Sequence, residues 1–516
     1  MPKKPKTGDN SPGGGPATSP VEVDQMNPPA GGITVRMYNT GFGDCFLLAF
    51  RGDNGEIRYM LIDCGVHQQW KTEKERIQLF QDVVTHIRDT CSNTIHLLAV
   101  SHEHADHIYG FKYAHEIFRN MTIEEIWLPW TEDKTDPVAH ELDDQYGKYK
   151  AALNSAISRL AEAGNPYAEP LRNLSGFELR TAESKADLIP DKEIMNTLRS
   201  WCNKKPLRPE DYLFPGNSPR EIPGVSSVRC YIMGPPHDIA DIKKSDPEKE
   251  TYYRKNMTNA EQAFMAAVIG MSGSGGQGGA EKFRGYPFDE AVSVTIEEAE
   301  SADDGFFQIY YGFSDGEGQG ESWRRIDNDW LEGSTIQLAL TVGSYTNNTS
   351  LVLAFELADS GKVLLFPGDA QAGNWLSWIR DPKTKGTSEW DDHVDGERLL
   401  NATVFYKVGH HGSWNATMKQ KGLEMMNKDF ADKDLVAMIP VDQVWAEKRK
   451  WHHPDPNVLP ELMQHARGRV LRSDDIPGSD SMNMPKESLP EEWKAFLDNV
   501  QWDKSGKKLW IQYTVS

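Results

Sequence analysis

Between positions 101 and 107 the chain reads Ser-His-Glu-His-Ala-Asp-His, so His102, His104, Asp106 and His107 fall within six consecutive positions. Neutral imidazoles beside a carboxylate suit Zn²⁺, and an added carboxylate also suits harder ions such as Mn²⁺. The cluster directly follows the apolar run Ile95-His96-Leu97-Leu98-Ala99-Val100, which has the character of a buried strand. Ligands are commonly held where a loop leaves such a rigid scaffold. Alternation along extended backbone would turn His102 and His104 to one side, and the following turn would aim Asp106 and His107 at a neighbouring point. Two ions are therefore expected. A solvated, His-rich loop is the plain alternative, but it leaves the related polar motifs downstream without an explanation.

The first of those motifs, Phe366-Pro367-Gly368-Asp369-Ala370, sets a carboxylate after a strand and a glycine, as a ligand or as an ordinary Asx-turn residue. The second, Lys407-Val408-Gly409-His410-His411-Gly412-Ser413, again follows an apolar run. Adjacent side chains diverge on extended backbone, so one imidazole is expected to bind metal while the other serves substrate or proton transfer. His410 is read as the ligand; His411 and Lys407 are left to bind or protonate substrate. Asp63, in Leu61-Ile62-Asp63-Cys64-Gly65, is read as the carboxylate that orients a ligand imidazole and fixes its tautomer. Asp44 either lines the same face or caps a turn. No Ser-His-Asp or Cys-His spacing competes, and the glycine tract at 273–279 lacks the Lys-Ser/Thr that closes a phosphate loop.

Taken together, Gly43-Asp44-Cys45, the Asp63 segment, the His102–His107 cluster, Gly234-Pro235-Pro236, Asn348-Thr349-Ser350-Leu351-Val352-Leu353, Pro367-Gly368-Asp369, Lys407–Ser413 and His453-Pro454 resemble the metallo-β-lactamase-fold hydrolases. Within that group the chain resembles the ComEC-like branch, similar to the nuclease module of competence DNA-uptake channels but without a channel segment. The resemblance covers roughly residues 33–130, 228–237 and 345–470. It implies an αβ/βα sandwich of two mixed sheets flanked by helices, two divalent ions (zinc first, manganese second) and Asp369 as the bridging ligand. It also implies a two-metal phosphodiesterase or nuclease in which Asp106 serves catalysis and the ions activate a shared water. The usual fold carries one more histidine ligand between the first cluster and the bridging Asp; His115, His140 and His237 are the candidates, and His237 is at a plausible strand end. A metallo-hydrolase of a small ester, lactone, thioester or amide is the competing function, and a non-catalytic module binding a protein partner is the third. Nucleic acid, a nucleotide or another small molecule is the expected substrate.

The elements that must position these residues follow from periodicity. Ile33–Asn39, Cys45–Arg51 and Ile57–Asp63 alternate as strands, Ile77–Arg88 has helical spacing, and a helix over Ile108–Phe118 and a strand over Ile123–Leu128 complete a β–α–β succession. Val228–Met233, Thr349–Leu357, Lys362–Phe366, Val404–Val408, Leu435–Ile439 and Leu509–Val515 read as further strands, with a helix at Asn457–Gln464. An α/β sandwich results. Two insertions interrupt it: a helical one at about 130–225, with Tyr149, Leu153, Ile157 and Leu160 on one helix face, and a partly glycine-rich one at about 240–343.

At 516 residues the chain is long enough for two to four domains or for one large domain with insertions. Apolar residues make up 38%, with 15 Trp, enough to build a core rather than a disordered chain. A net charge of −21 disfavours a broad, sequence-independent grip on nucleic acid, although two divalent ions concentrate positive charge at one point. Five cysteines, odd in number and mostly within apolar runs, read as reduced thiols and a cytoplasmic setting. Residues 1–31, rich in Pro, Gly and Lys, read as a disordered tail, and no run suits a signal segment or a membrane span.

Overall fold

Ile33, Val35 and Met37 alternate with Thr34, Arg36 and Tyr38, and this period of two builds the first strand, β1 (Ile33–Tyr38), buried on both faces. The computed structural model describes residues 25–162, 168, 171, 188–202, 207–216, 218–243, 294, 296–302, 305–311, 342–379, 395–430, 434–477 and 482–516. Most of the expected tail and the glycine tract at 273–279 lie outside the described residues. The last part of the tail expectation is corrected: Met26 is fully buried in the core, and the Pro28 carbonyl accepts a hydrogen bond from Arg51. An apolar side chain in a Pro-rich stretch was sufficient to anchor it.

The strands that follow are β2 (Phe46–Arg51), β3 (Ile57–Ile62), β4 (Thr94–Ile95), β5 (Leu97–Ala99), β6 (Thr122–Ile123), β7 (Ile126–Trp127), β8 (Arg220–Ile222) and β9 (Val225–Gly234). The second half of the chain contributes β10 (Val352–Leu357), β11 (Val363–Phe366), β12 (Thr403–Lys407), β13 (Val436–Ile439), β14 (Val470–Arg472), β15 (Val500–Trp502) and β16 (Trp510–Val515). One seven-stranded sheet has the order β15-β16-β1-β2-β3-β5-β7; the other has β14-β13-β12-β11-β10-β9-β8. Both are mixed. In the first, β3, β5 and β7 run parallel; in the second, β11 to β14 do, and the remaining pairs are antiparallel.

Inward residues of both sheets, among them Val35, Leu48, Phe50, Leu353, Phe355 and Phe405, form one continuous apolar layer. Phe46 meets Phe366 edge to face across it, with ring centroids 5.8 Å apart. The opposite faces are covered by helices. On the first sheet, α1 (Glu73–Thr90) lays down Phe80, Val83, Val84 and Ile87, and its start is fixed by a capping box between Thr72 and Glu75. Over the second lie Trp375, Trp378, Leu399 and Leu400. The chain is thus an α/β protein with two mixed sheets and helices outside them. All five cysteines are free, and among the described residues no helix is long and apolar enough to cross a membrane.

Three local departures matter for the site. The run read as one strand over 95–100 breaks at His96, because β4 pairs with β6 while β5 joins the main sheet. Helix α2 (Ala105–Tyr113) begins three residues before the expected Ile108. The expected insertion at 130–225 also ends early, since β8 is the edge strand of the second sheet. Short strands of three residues, including β14 and β15, carry too few alternations to be seen in a sequence. The insertion's long helix, after α3 (His115–Phe118), is α4 (Pro137–Glu162).

Candidate metal centre

The described histidines and carboxylates converge where strands end. His102 follows β5 by three residues, Asp369 follows β11, and the Gly409–Gly412 turn follows β12. His104 is the N-cap residue of α2, while Asp106 and His107 occupy its first turn. Extended backbone through the His104 N-cap therefore brings His102 and His104 together, and the first turn of α2 places Asp106 and His107. His102 Nε2 and His104 Nδ1 lie 3.0 Å apart, a distance at which the two nitrogens share one proton or turn both lone pairs to one cation.

Among the described residues three sets of ligand atoms have metal spacing, and two of them share Asp369: His102 with His107 and Asp369, and Asp106 with Asp369 and His411. All five residues are buried, at 2% exposure or less. A sign of fit to cations is the set of polar atoms that, among the described residues, are sealed from solvent without a well-aligned hydrogen bond: Asp106 Oδ1, His107 Nε2 and Asp369 Oδ2. His107 Nε2 and Asp369 Oδ2 face each other at 3.2 Å. Leaving three such atoms buried is costly unless something charged occupies their midst.

Asp63 controls one ring from behind. Its Oδ2 lies 2.8 Å from His107 Nδ1, and its two oxygens accept from the backbone N–H and the hydroxyl of Ser101, each at 2.7 Å. Nδ1–H directed at a carboxylate leaves Nε2 as the ring's lone pair. Asp63 holds this position in the left-handed region, at φ 56°. A third acidic group of metal spacing, Asp44, Asp63 and His107, surrounds that same Nδ1, where Asp63 already binds the ring.

Sequence reasoning passed over two hydroxyls. Ser101 Oγ touches His102 Nδ1 at 3.0 Å, and Ser350 Oγ lies 3.3 Å from the same nitrogen while accepting from the Asp369 N–H at 3.0 Å. Both lie within motifs already singled out, but serines carry no ligand signature of their own. One glycine is more telling: a Cβ on Gly65 would stand 2.1 Å from the Asp106 carbonyl carbon, so only glycine lets the segment after β3 touch the start of α2.

Three assignments change. His410 was expected to be the ligand, yet His411 is the member of the pair grouped with Asp106 and Asp369. Both residues have left-handed φ, 47° and 52°, so the extended backbone assumed from the sequence does not exist there. The turn sends the His411 ring inward, with Nδ1 2.6 Å from the Pro440 carbonyl and Nε2 2.9 Å from Asp106 Oδ2. His410 instead donates its backbone N–H to Asp369 Oδ1 at 2.9 Å.

Lys407 was expected to handle substrate. It is 2% exposed, its ammonium donates to the Gly368 carbonyl at 2.8 Å, lies 3.5 Å from Asp369 Oδ1 and is bound closely to the Asp44 carboxylate. It is an internal counter-charge. His237, the expected extra ligand, has its Nε2 3.1 Å from Asp136 Oδ2 and its ring against Trp130, and among the described residues no group of metal spacing includes it. His115 pairs with Glu116, likewise outside those groups.

Electrostatics separate the rings. Burial holds His102 well below the usual histidine range, helped by His107 and His104. Burial also drives His410 down, to about 4, against the pull of Asp369. For His107 burial works the other way from the result, since Asp369, Asp44, Asp106 and Asp63 together push it well above its usual range. His411 is raised as well, against burial, by its hydrogen bond to Asp106. Burial would raise the Asp106 carboxyl, but His107 and His411 hold it below the ordinary carboxylate range. So strong a demand for positive charge at a cluster of carboxylates is what a bound cation would meet.

Comparison with known proteins finds no matching family model, no matching curated protein and no matching solved structure.

Proposed function

We propose that the chain is a metal-dependent phosphodiesterase of the metallo-β-lactamase fold, acting with two divalent ions. The observation that carries this reading is Asp369, whose carboxylate belongs to both ligand groups and so suits a bridge between neighbouring ions. His102, His107 and Asp369 would hold one ion, and Asp106, Asp369 and His411 the other; His104, 3.0 Å from His102 Nε2, belongs to neither group among the described residues. When bound, such a pair polarises a phosphoryl group and stabilises charge on the attacking and leaving oxygens, with zinc or manganese the fitting ions.

The chain's own part is orientation. Asp63, Ser101 and the Pro440 carbonyl fix the rings of His107, His102 and His411, so that their lone pairs need no rearrangement. Lys407 balances the excess of carboxylates from beneath. Hydrolysis adds the oxygen of water to phosphorus, breaks the phosphorus–oxygen ester bond and delivers a proton to the leaving alkoxide, giving a phosphomonoester and an alcohol.

The two mixed sheets with outer helices, the ligands at strand ends and the ComEC-like motifs support the fold reading. Five free cysteines agree with a cytoplasmic site of action. The test uses the full chain loaded with Zn²⁺ or Mn²⁺, with bis(p-nitrophenyl) phosphate and p-nitrophenyl acetate as parallel substrates. Turnover of the phosphodiester, abolished by chelator and by Asp369→Asn, is expected. Turnover of the acetate alone would favour a small-ester hydrolase, and full phosphodiesterase activity in Asp369→Asn would overturn the two-ion reading.

A further inference from the structure

Glu103 stands in the chain between His102 and His104, and it also lines a cavity of about 1080 Å³. Thr349, next to the Ser350 that touches His102 and Asp369, lines it too. The cavity therefore shares two loops with the metal centre. Its other walls come from α4, from the segment 190–199 and from Ile242 and Lys243. We propose that this cavity is the substrate subsite of the metal centre and takes a small phosphodiester of dinucleotide size; the inference rests on the phosphodiesterase reading above.

Three features carry it. The first is volume, which lies just above the roughly 300–1,000 Å³ of small-ligand pockets. A polymer track requires a long basic groove, and the chain has a net charge of −21. The second is the distribution of charge. Lys150, on α4, reaches into the cavity among the carboxylates of Glu103 and Asp191, with Lys192 and Lys243 also on its lining. Ammonium groups suit the phosphates, whereas Glu103 and Asp143 offer acceptors to the amino groups of bases. The third is aromatic. Tyr146 and Tyr345 both line the cavity, the Tyr146 ring with the Lys150 ammonium 5.4 Å from its centroid and the Tyr345 ring stacked on Tyr149 at 5.5 Å. Such rings accept stacked bases.

The experiment titrates the full chain, stripped of metal by chelator so that nothing is hydrolysed, with the linear dinucleotide pApA and separately with a 20-nucleotide single-stranded DNA, by calorimetry. One-to-one binding of pApA is expected, weakened at least 10-fold in Lys150→Met and in Ala151→Trp, which fills the cavity, with circular dichroism and zinc uptake unchanged. Lys192→Met, at an exposed position, supplies the same comparison where either variant fails to fold. No saturable binding of pApA, wild-type affinity in the variants, or tighter binding of the 20-mer would overturn the proposal. Turnover of bis(p-nitrophenyl) phosphate separates the two readings. Turnover without pApA binding sinks the cavity assignment alone, and pApA binding without metal-dependent turnover sinks the phosphodiesterase reading alone.

Discussion

His411 Nε2 lies 2.9 Å from Asp106 Oδ2, joining the turn after β12 to the first turn of α2 across 305 residues of chain. The Pro440 carbonyl takes the ring's other nitrogen, so this edge of the imidazole is fixed in place before any ligand arrives.

His411→Ala is therefore expected to lose one of two metal equivalents, and more activity than the roughly 10–100-fold typical of an orienting partner. His410→Ala keeps both equivalents, because its contact with Asp369 is made by the backbone N–H. Elemental analysis of dialysed protein reads the difference. The reverse pattern would return the ligand role to His410.

Lys407 and Asp44 are 2% and 1% exposed, and each is the other's closest opposite charge. Removing one partner of a buried pair leaves an uncompensated ion, at a cost of about 3–5 kcal/mol. Lys407→Met should destabilise the chain by that order in urea denaturation, and Lys407→Met with Asp44→Asn should recover most of it. Strict additivity of the two substitutions would show that the pair does not interact.

The first histidine cluster was legible because its residue types are rare and dense, and the strands carrying Asp369 and His411 were legible because they are buried apolar runs. Orientation was not. Which of His410 and His411 turns inward depends on two successive left-handed residues, and nothing in the sequence Gly-His-His-Gly specifies that both histidines adopt them. Lys407 failed for a related reason: a lysine beside a metal motif reads as a substrate contact until the packing closes over it. His237 looked like a ligand by its position after a strand, but its partner, Asp136, belongs to a segment 101 residues away. Long-range pairings of this kind leave no local pattern.

Gly65 makes a sharper test of preorganisation. An added Cβ would meet the Asp106 carbonyl carbon at 2.1 Å and the His107 nitrogen at 2.2 Å, and backbone atoms cannot swing aside as a side chain can. Gly65→Ala should displace the start of α2, lowering zinc affinity by at least about 10-fold, as loss of an orienting contact does, together with thermal stability. Wild-type zinc affinity in calorimetric competition with a chelator would contradict the tight contact.

His86, far from the metal centre, gives the chain a pH dependence of its own. Its Nδ1 meets the Tyr38 hydroxyl at 3.0 Å, and burial, aided by the charge of Arg36, holds the ring at about 4 against the pull of Asp503 and Asp89. The ordinary histidine value is 6.5, so between that pH and about 4 the unfolded chain takes a proton that the folded chain refuses. Stability is full above pH 6.5, falls as pH drops through this window and levels off below it. The loss from this one group is roughly 2 kcal/mol, allowing for its part exposure. His86→Gln removes the titration, so the stability difference between wild type and variant should shift in the variant's favour by most of that amount from pH 7.5 to pH 4.5. Denaturation curves that stay parallel over this range would mean that His86 titrates alike in both states.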